Sequence, residues 1–251
     1  GKLWNRSSSY PVLGHFELTY RCNFNCIHCY CKGSEDRARE LSTQEVKKIL
    51  DTLRQEGCLW LILTGGEPLV RNDFREIYAY AKEKGFVVSI FSNGFAFTDS
   101  LIKFLVKSPP EAIEITLNGI TNPTYEAVTQ KKRALPVVLR AIKKLKKKGI
   151  NLLVKANCLS MNKHEIGLIK QWTERLLGAP ATNRYHFHYD RIIYPRLNKD
   201  MSSCRYRLGP DEFVQLGLLD EDIARECREN ILEKMPRLPR QRKYLYQCDS
   251  W

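Results

Sequence analysis

Four of the nine cysteines in this chain lie within twelve residues, YRCNFNCIHCYC at positions 20–31. Three of them, Cys22, Cys26 and Cys29, follow the spacing C-x3-C-x2-C. A structural zinc site usually takes four ligands in paired units such as C-x2-C, and no second pair follows here. A cuboidal iron–sulfur cluster is instead held by thiolates on its irons. Three cysteines on one loop can hold three irons and leave the fourth to an outside ligand, so a cluster is the favoured chemistry.

The elements that must position these cysteines alternate between short apolar runs and amphipathic segments, the pattern of parallel strands joined by helices. The predicted strands cover residues 15–20, 59–64, 86–92, 112–117, 150–158 and 184–193. The predicted helices cover residues 42–57, 72–84, 99–106, 136–149, 163–178 and 211–234. A complete eight-stranded barrel takes about 250 residues, so six repeats predict an α/β fold with a partial (β/α)6 TIM-like barrel of parallel strands. A doubly wound open sheet is the competing architecture.

Three short motifs end predicted strands, at the edge where ligand sites form in both architectures. TGGEP ends the second strand at 64–68, SNG the third at 92–94, and ITLNG the fourth at 115–119. Because glycine has no Cβ, Gly65 and Gly66 let a ligand come close to the backbone. The cysteine motif also follows a strand directly, so the strand-end rule favours a binding site for all four motifs.

These motifs, in this order, resemble the radical S-adenosylmethionine (SAM) enzymes over roughly residues 14–195. The resemblance implies that Cys22, Cys26 and Cys29 ligate a [4Fe–4S] cluster and that SAM chelates the fourth iron through its amino and carboxylate groups. It also implies that the reduced cluster cleaves SAM to methionine and a 5′-deoxyadenosyl radical, which abstracts hydrogen from a substrate. The cofactor then performs the bond cleavage, while the protein binds and orients the cofactor and the substrate. No catalytic side chain is therefore assigned.

The resemblance also implies SAM contacts at the ends of the strands. His28 corresponds to an aromatic position beside the adenine, and TGGEP to the segment at the methionine end, with Glu67 fixing the loop. A side chain at Gly66 is therefore expected to collide with SAM. Thr116 and Asn118 stand where many relatives have Ser and Asp, which keeps the hydroxyl and removes a formal charge. The expected cofactor contacts are His28, Gly65, Gly66, Glu67, Ser92, Asn93, Thr116, Asn118, Lys155 and Asn157.

The sixth predicted strand carries a further group of polar side chains. Alternation along a strand sends His186, His188 and Asp190 to one face and Tyr185, Phe187 and Tyr189 to the other. One face must point into the barrel, and the sequence does not say which.

The other six cysteines are assigned according to the predicted division of the chain into two regions. Residues 14–195 are predicted to form the radical SAM core, and residues 196–251 a C-terminal helical and irregular extension that contains Cys204 and Cys248. The ending YLYQCDSW resembles the opening of the cysteine-rich region that holds auxiliary clusters in many peptide-modifying relatives, which implies a core domain cut before its auxiliary half. The remaining cysteines are interpreted as apolar core residues or as a bystander beside the cluster loop: Cys58, Cys158 and Cys227, and Cys31.

The composition and net charge indicate the class of protein, its compartment and the kind of partner it could bind. With 43% hydrophobic and 27% charged residues, the 251-residue chain has the make-up of an ordinary globular protein. Clustered cysteines without a secretory signal are typical of a reducing compartment and predict a cytoplasmic location. The net charge of +13 is concentrated in runs such as KKR at 131–133 and KKLKKK at 143–148. These runs are either solvated helix faces or a docking surface for an acidic partner.

Three functional interpretations remain open from the sequence. The first is a peptide- or protein-modifying radical enzyme, which the C-x2-C-Y form of the cluster loop and the Cys248 ending favour. The second is a radical enzyme of cofactor or haem biosynthesis that acts on a small molecule. The third is a basic, metal-binding nucleic-acid module without enzymatic activity, which would need aromatic residues among its basic runs. The expected partners are a peptide or protein substrate, whose acidic groups would suit the basic surface, and an electron donor such as flavodoxin or ferredoxin, with neither membrane nor nucleic acid.

Overall fold

The computed structural model describes residues 11–33, 40–178 and 186–219. The chain divides into two compact units, Gly1–Leu208 and Gly209–Trp251. The sheet and the candidate site belong to the first unit, and of the second unit only one helix is described. Cys227, Cys248 and the end of the helix predicted at 211–234 lie outside the described residues. Within those residues, no helix is both long and apolar enough to cross a membrane.

Six parallel strands form a single sheet whose spatial order is the order of the chain. A doubly wound sheet would reverse its strand order at a switch point, and this sheet does not. The predicted partial (β/α)6 barrel is therefore confirmed. The strands are β1 Leu13–Glu17, β2 Trp60–Thr64, β3 Val87–Ser92, β4 Ala112–Thr116, β5 Leu152–Asn157 and β6 Phe187–Asp190.

Seven α-helices are described, and six of them begin at or close to the predicted positions. The first begins with the capping box that its sequence suggests, in which Ser42 and Glu45 bond each other's backbone. The helix predicted from residue 72 begins later, after a 3-10 turn at Pro68–Val70, and the one predicted from residue 163 begins with a 3-10 turn at Lys163–Glu165. The helices are α1 Thr43–Gln55, α2 Phe74–Glu83, α3 Asp99–Lys107, α4 Asn122–Thr129, α5 Leu135–Lys147, α6 Ile166–Leu177 and α7 Pro210–Leu219.

The fourth helix was absent from the sequence prediction. Its eight residues are shorter than the segments on which helical periodicity is read with confidence. Its start signals are a threonine at the N-cap, Thr121, and a proline in the first turn. This omission matters because α4 supports the candidate site.

Alternate residues of each strand pack under the helices, and the others line the concave face of the sheet. Gly14 is in register with Leu61, and a Cβ at Gly14 would point at Leu53 of α1. Residues in phase with this pair, such as Ile113 and Val154, are fully buried. By the same register Phe187 and Tyr189 face the helices, while His188 and Asp190 face the concave side. The structure thus settles the orientation of β6.

Candidate active site

The loop that carries Cys22, Cys26 and Cys29 leaves β1 and docks on the end of α4. The backbone N–H of Asn25 donates to the carbonyl of Thr129 at 3.1 Å, and that of Ile27 donates to the carbonyl of Val128 at 3.0 Å. The last carbonyls of a helix have no partner within the helix, so α4 offers acceptors where this loop needs them. Helix α4 therefore fixes the loop around Cys26.

A buried carboxylate holds α4 in place. Glu165, at the start of α6, accepts hydrogen bonds from the Ile120 N–H at 2.6 Å and from the hydroxyls of Thr121 at 2.5 Å and Thr124 at 2.7 Å. Burial would raise the pKa of Glu165, but the hydrogen bonds from Thr121 and Thr124 outweigh it and hold the pKa below its usual value. Sequence reasoning missed this residue, because its partners lie more than 40 positions away and carry no shared local pattern.

The three predicted cluster cysteines are brought together and form no disulfide. The Cys22 sulfur accepts from the Phe24 N–H at 3.4 Å and from the Asn93 amide at 3.6 Å. Burial raises the pKa of Cys22 to about 11 and that of Cys26 further, and the neighbouring thiol charges add to both shifts. Positive charge between the sulfurs would reverse these shifts, as bound metal does for thiolates.

The donor set of the cluster loop consists of three free thiols, those of Cys22, Cys26 and Cys29. In an iron–sulfur cluster the thiolates sit on different irons. Three thiols on one loop therefore fit three irons of a single cluster.

Backbone hydrogen bonds tie the TGGEP motif to the start of the cluster loop. The N–H of Gly66 donates to the Thr19 carbonyl at 2.7 Å, and the N–H of Glu67 donates to the Arg21 carbonyl at 3.0 Å. A Cβ on Gly65 would clash with the Thr19 carbonyl, and one on Gly66 would clash with the carbonyl oxygen of Arg21. Both glycines thus permit a close approach of the chain to itself. Their approach to SAM remains a prediction.

The Glu67 carboxylate links TGGEP to SNG. It is fully buried and accepts from the Leu69 N–H at 3.1 Å, the Ser92 hydroxyl at 2.9 Å and the Asn93 N–H at 2.7 Å. Burial raises its pKa to about 7, and the bonds from Asn93, Ser92 and Leu69 oppose that rise. Glu67 therefore fixes two strand-end loops, as expected of a loop-fixing residue.

The two side chains of SNG have different surroundings. Ser92 is buried, and its hydroxyl donates to Glu67 and accepts from the Gly94 N–H at 3.0 Å. The Asn93 side chain reaches the cluster loop, where its amide donates to Asn23 Oδ1 at 2.6 Å as well as to Cys22. Asn93 thus lies beside the cysteines, while the hydroxyl of Ser92 is used within the protein.

Two of the four predicted contacts at the ends of β4 and β5, Asn118 and Asn157, form a hydrogen-bonded network with His28. Asn118 is buried and accepts from the Asn157 N–H at 2.8 Å, and Asn157 Nδ2 lies 3.0 Å from His28 Nε2. Asn162, which the sequence did not single out, donates to the carbonyls of Asn118 at 3.0 Å and Asn157 at 2.9 Å. Thr116 is half-buried on the concave face, in register with Lys155.

The His28 ring is neutral and has one unpartnered nitrogen. Burial lowers its pKa to about 4, and the charge of Lys155 lowers it further. Because an amide nitrogen only donates, the Asn157 contact assigns the ring proton to Nδ1. This nitrogen is buried and has no partner among the described residues. A buried donor without a partner is costly, so this atom fits a bound polar group.

Four charged or titratable side chains lie together on the concave face of β4, β5 and β6. Lys155 Nζ lies 2.5 Å from Asp190 Oδ2, and His188 Nε2 lies 3.4 Å from Glu114 Oε2. Glu114 is only 5% exposed. Burial raises its pKa to about 7, although Lys155 lowers it. Lys155 was predicted from the sequence as a SAM contact, and Glu114 was not singled out.

The raised pKa of Glu114 predicts a pH-dependent stability. The folded chain holds this proton more tightly than the unfolded chain, whose carboxyl titrates near 4.5. The free energy of unfolding should therefore fall as the pH rises from about 4.5 to about 7, by up to about 3 kcal/mol. Glu114→Gln removes this titrating group and should reduce the dependence by that amount, leaving the part that comes from Glu67, whose pKa is also raised to about 7.

Urea unfolding at about pH 5 and about pH 7.5 measures the difference. Glu76→Gln, which changes an exposed carboxyl on α2, is the matched control and should keep the wild-type dependence. A Glu114→Gln variant that loses as much stability over this pH range as the wild type would contradict the assignment.

Comparison with known proteins agrees with the site. Residues 16–170 match the family described as the Radical SAM superfamily. The chain is 30% identical over 203 residues to Fe-coproporphyrin III synthase of Methanosarcina barkeri, covering 80% of this chain and 50% of that protein. It is 30% identical over 247 residues to the antilisterial bacteriocin subtilosin biosynthesis protein AlbA of Bacillus subtilis, covering 97% and 52%. The chain thus spans about half the length of these relatives.

Among solved structures, Streptococcus suis SuiB bound to precursor peptide SuiA superposes with a TM-score of 0.68 over 88% of this chain and 47% of that one. At 14% sequence identity this likeness shows the fold. The family match covers more than half of the 251 residues. The chain therefore belongs to the Radical SAM superfamily of enzymes, which use a [4Fe–4S] cluster and SAM.

Proposed function

We propose that this chain is the core of an enzyme that cleaves SAM reductively, with Cys22, Cys26 and Cys29 as the ligands of a [4Fe–4S] cluster. The observation that carries the proposal is the docking of the three-thiol loop beside TGGEP and SNG, through the backbone of Glu67 and the side chain of Asn93. A cluster held by these three cysteines would supply the single electron needed for reductive cleavage of SAM at its C5′–S bond.

The residues of this chain would bind the cluster and SAM and hold them in position. The Asn93 amide donates to the Cys22 sulfur, and a donor to sulfur favours the thiolate form that metal binding needs. Glu67 keeps two loops at a fixed separation. SAM would lie along the strand ends, in reach of the network of His28, Asn118 and Asn157. The unpartnered Nδ1 of His28 supports this location.

We assign the substrate to the class of peptides or proteins. SuiB has been crystallised with its precursor peptide, and AlbA, which aligns over nearly the whole chain, is named for the biosynthesis of a bacteriocin. The second candidate is a small molecule of haem biosynthesis, which the likeness to Fe-coproporphyrin III synthase favours. Membership of an enzyme family leaves the nucleic-acid-binding interpretation without support. The free thiols suit a reducing, cytoplasmic setting.

The test is to reconstitute the chain anaerobically, add a chemical reductant and SAM, and quantify 5′-deoxyadenosine and methionine. Equal amounts of both products are expected, and none without reductant. Iron-loaded protein that makes neither product would overturn the proposal. Deuterated candidate substrates then separate the two substrate classes, because abstraction moves deuterium into 5′-deoxyadenosine. Label from a peptide supports the first class, and label from a tetrapyrrole supports the second.

A further inference from the structure

The connection between α4 and α5 presents positive charge beside the cluster loop. We call Lys131, Lys132 and Arg133 the basic turn. Lys132 and Arg133 are exposed and Lys131 is half-buried. In the described part of the chain, no carboxylate forms an ion pair with any of these three side chains. Their charges are therefore available to a partner.

The basic turn is linked to the cluster loop through two intervening residues, Thr129 and Phe95. Thr129, two residues before the turn, accepts the N–H of Asn25, the neighbour of Cys26. Lys131 Nζ lies 5.4 Å from the centre of the Phe95 ring, and Phe95 packs edge-on against Phe24 at 5.5 Å. Phe24 lies between the first two cluster cysteines in the sequence. A molecule bound at this turn would sit next to the cluster ligands.

The other lysine run is at the opposite edge of the sheet. Helix α5 ends at Lys147, and β5 begins at Leu152. The exposed Lys147 and Lys148 therefore lie where strands begin, whereas the cluster loop follows the end of β1. Charge alone does not distinguish the two runs, but their positions relative to the cluster do.

We propose that the basic turn is the docking surface for an acidic protein that carries single electrons. This inference rests on the proposed function, in which each SAM cleavage consumes one electron. The carrier is oxidised by one electron and the cluster is reduced by one, with no bond made between the two proteins. A positive patch attracts an acidic partner and raises the rate of encounter at low salt. The links through Thr129 to Asn25 and through Phe95 to Phe24 keep a carrier bound at the turn close to the thiolates.

The test uses two charge-reversal variants of the reconstituted chain. Lys132→Glu with Arg133→Glu reverses the basic turn and leaves the Lys131–Phe95 contact intact. Lys147→Glu with Lys148→Glu makes the same change in net charge at the far edge. Stopped-flow absorbance follows cluster reduction by a reduced acidic flavodoxin at low and at moderate salt. Titanium(III) citrate replaces the flavodoxin as the small-molecule reference.

We expect the basic-turn variant to lose about tenfold in its second-order rate constant with flavodoxin at low salt, and to lose most of its salt dependence. The far-edge variant should stay within about twofold of wild type, as should both variants with the chemical reductant. Equal flavodoxin rates in all three proteins, or an equal loss in both variants, would overturn the docking surface. If the chemical reductant failed to lower the cluster absorbance of the wild-type chain, the proposed function and this inference would both be overturned.

Discussion

Replacing Gly66 by alanine is expected to lower the free energy of unfolding by more than about 2 kcal/mol and to reduce the iron bound after reconstitution. The new Cβ would meet the carbonyl oxygens of Arg21 and, at 2.8 Å, Tyr20. Both are backbone atoms immediately before Cys22, so relief requires that the cluster loop move. The family resemblance implies that a side chain at this position collides with SAM. The structure shows in addition that the side chain would collide with the protein's own backbone at Tyr20 and Arg21, whether or not SAM is bound.

Gly167 provides the matched control. A Cβ there would have no heavy atom within 4 Å, and the residue lies in the first turn of α6 without a positive φ. Gly167→Ala should therefore raise the free energy of unfolding by about 0.4–1 kcal/mol, because alanine narrows the unfolded ensemble, and should leave the iron content unchanged. Urea unfolding and iron analysis of both variants make the comparison. Wild-type stability and iron content in Gly66→Ala would show that the loop does not depend on this contact.

Replacing Cys22, Cys26 and Cys29 together by alanine should abolish iron binding and the production of 5′-deoxyadenosine. No other cysteine in the described residues follows their spacing, and their loop is the one docked on α4. Iron analysis, cluster absorbance and product quantification after anaerobic reconstitution measure the loss.

Cys31→Ala is the control, because Cys31 lies two residues from Cys29 and is only 2% exposed. Interpreted as a bystander, it should be replaceable without loss of iron. Iron retained in the triple variant would contradict the assignment of the ligands, and iron lost in Cys31→Ala would contradict its interpretation as a bystander.

The fold was predictable because each strand is a short apolar run followed by an amphipathic helix. Ile113 and Val154 lie under helices in a sheet that follows the order of the chain. The ends of strands were less predictable where a strand leads into a loop of the candidate site. The first strand ends at Glu17 instead of residue 20, since the chain leaves the sheet to form the cluster loop.

Part of the candidate site could not be predicted, because its residues act through distant partners. Glu165 reaches Thr121 and Thr124, and Glu114 meets His188, over separations that no local pattern records. The helix α4 was missed because it is short, and with it the anchor of the cluster loop. The cysteine motif and the strand-end motifs could be recognised from the sequence because the residues of each motif are close together in the chain.

The central claim is that Cys22, Cys26 and Cys29 hold one [4Fe–4S] cluster whose open iron takes SAM. The most direct measurement combines iron analysis of the anaerobically reconstituted chain with electron paramagnetic resonance of its reduced form, before and after SAM is added. The account predicts about four irons per chain and a reduced-cluster signal that changes with SAM. One tightly bound zinc without iron, or a cluster signal indifferent to SAM, would contradict it.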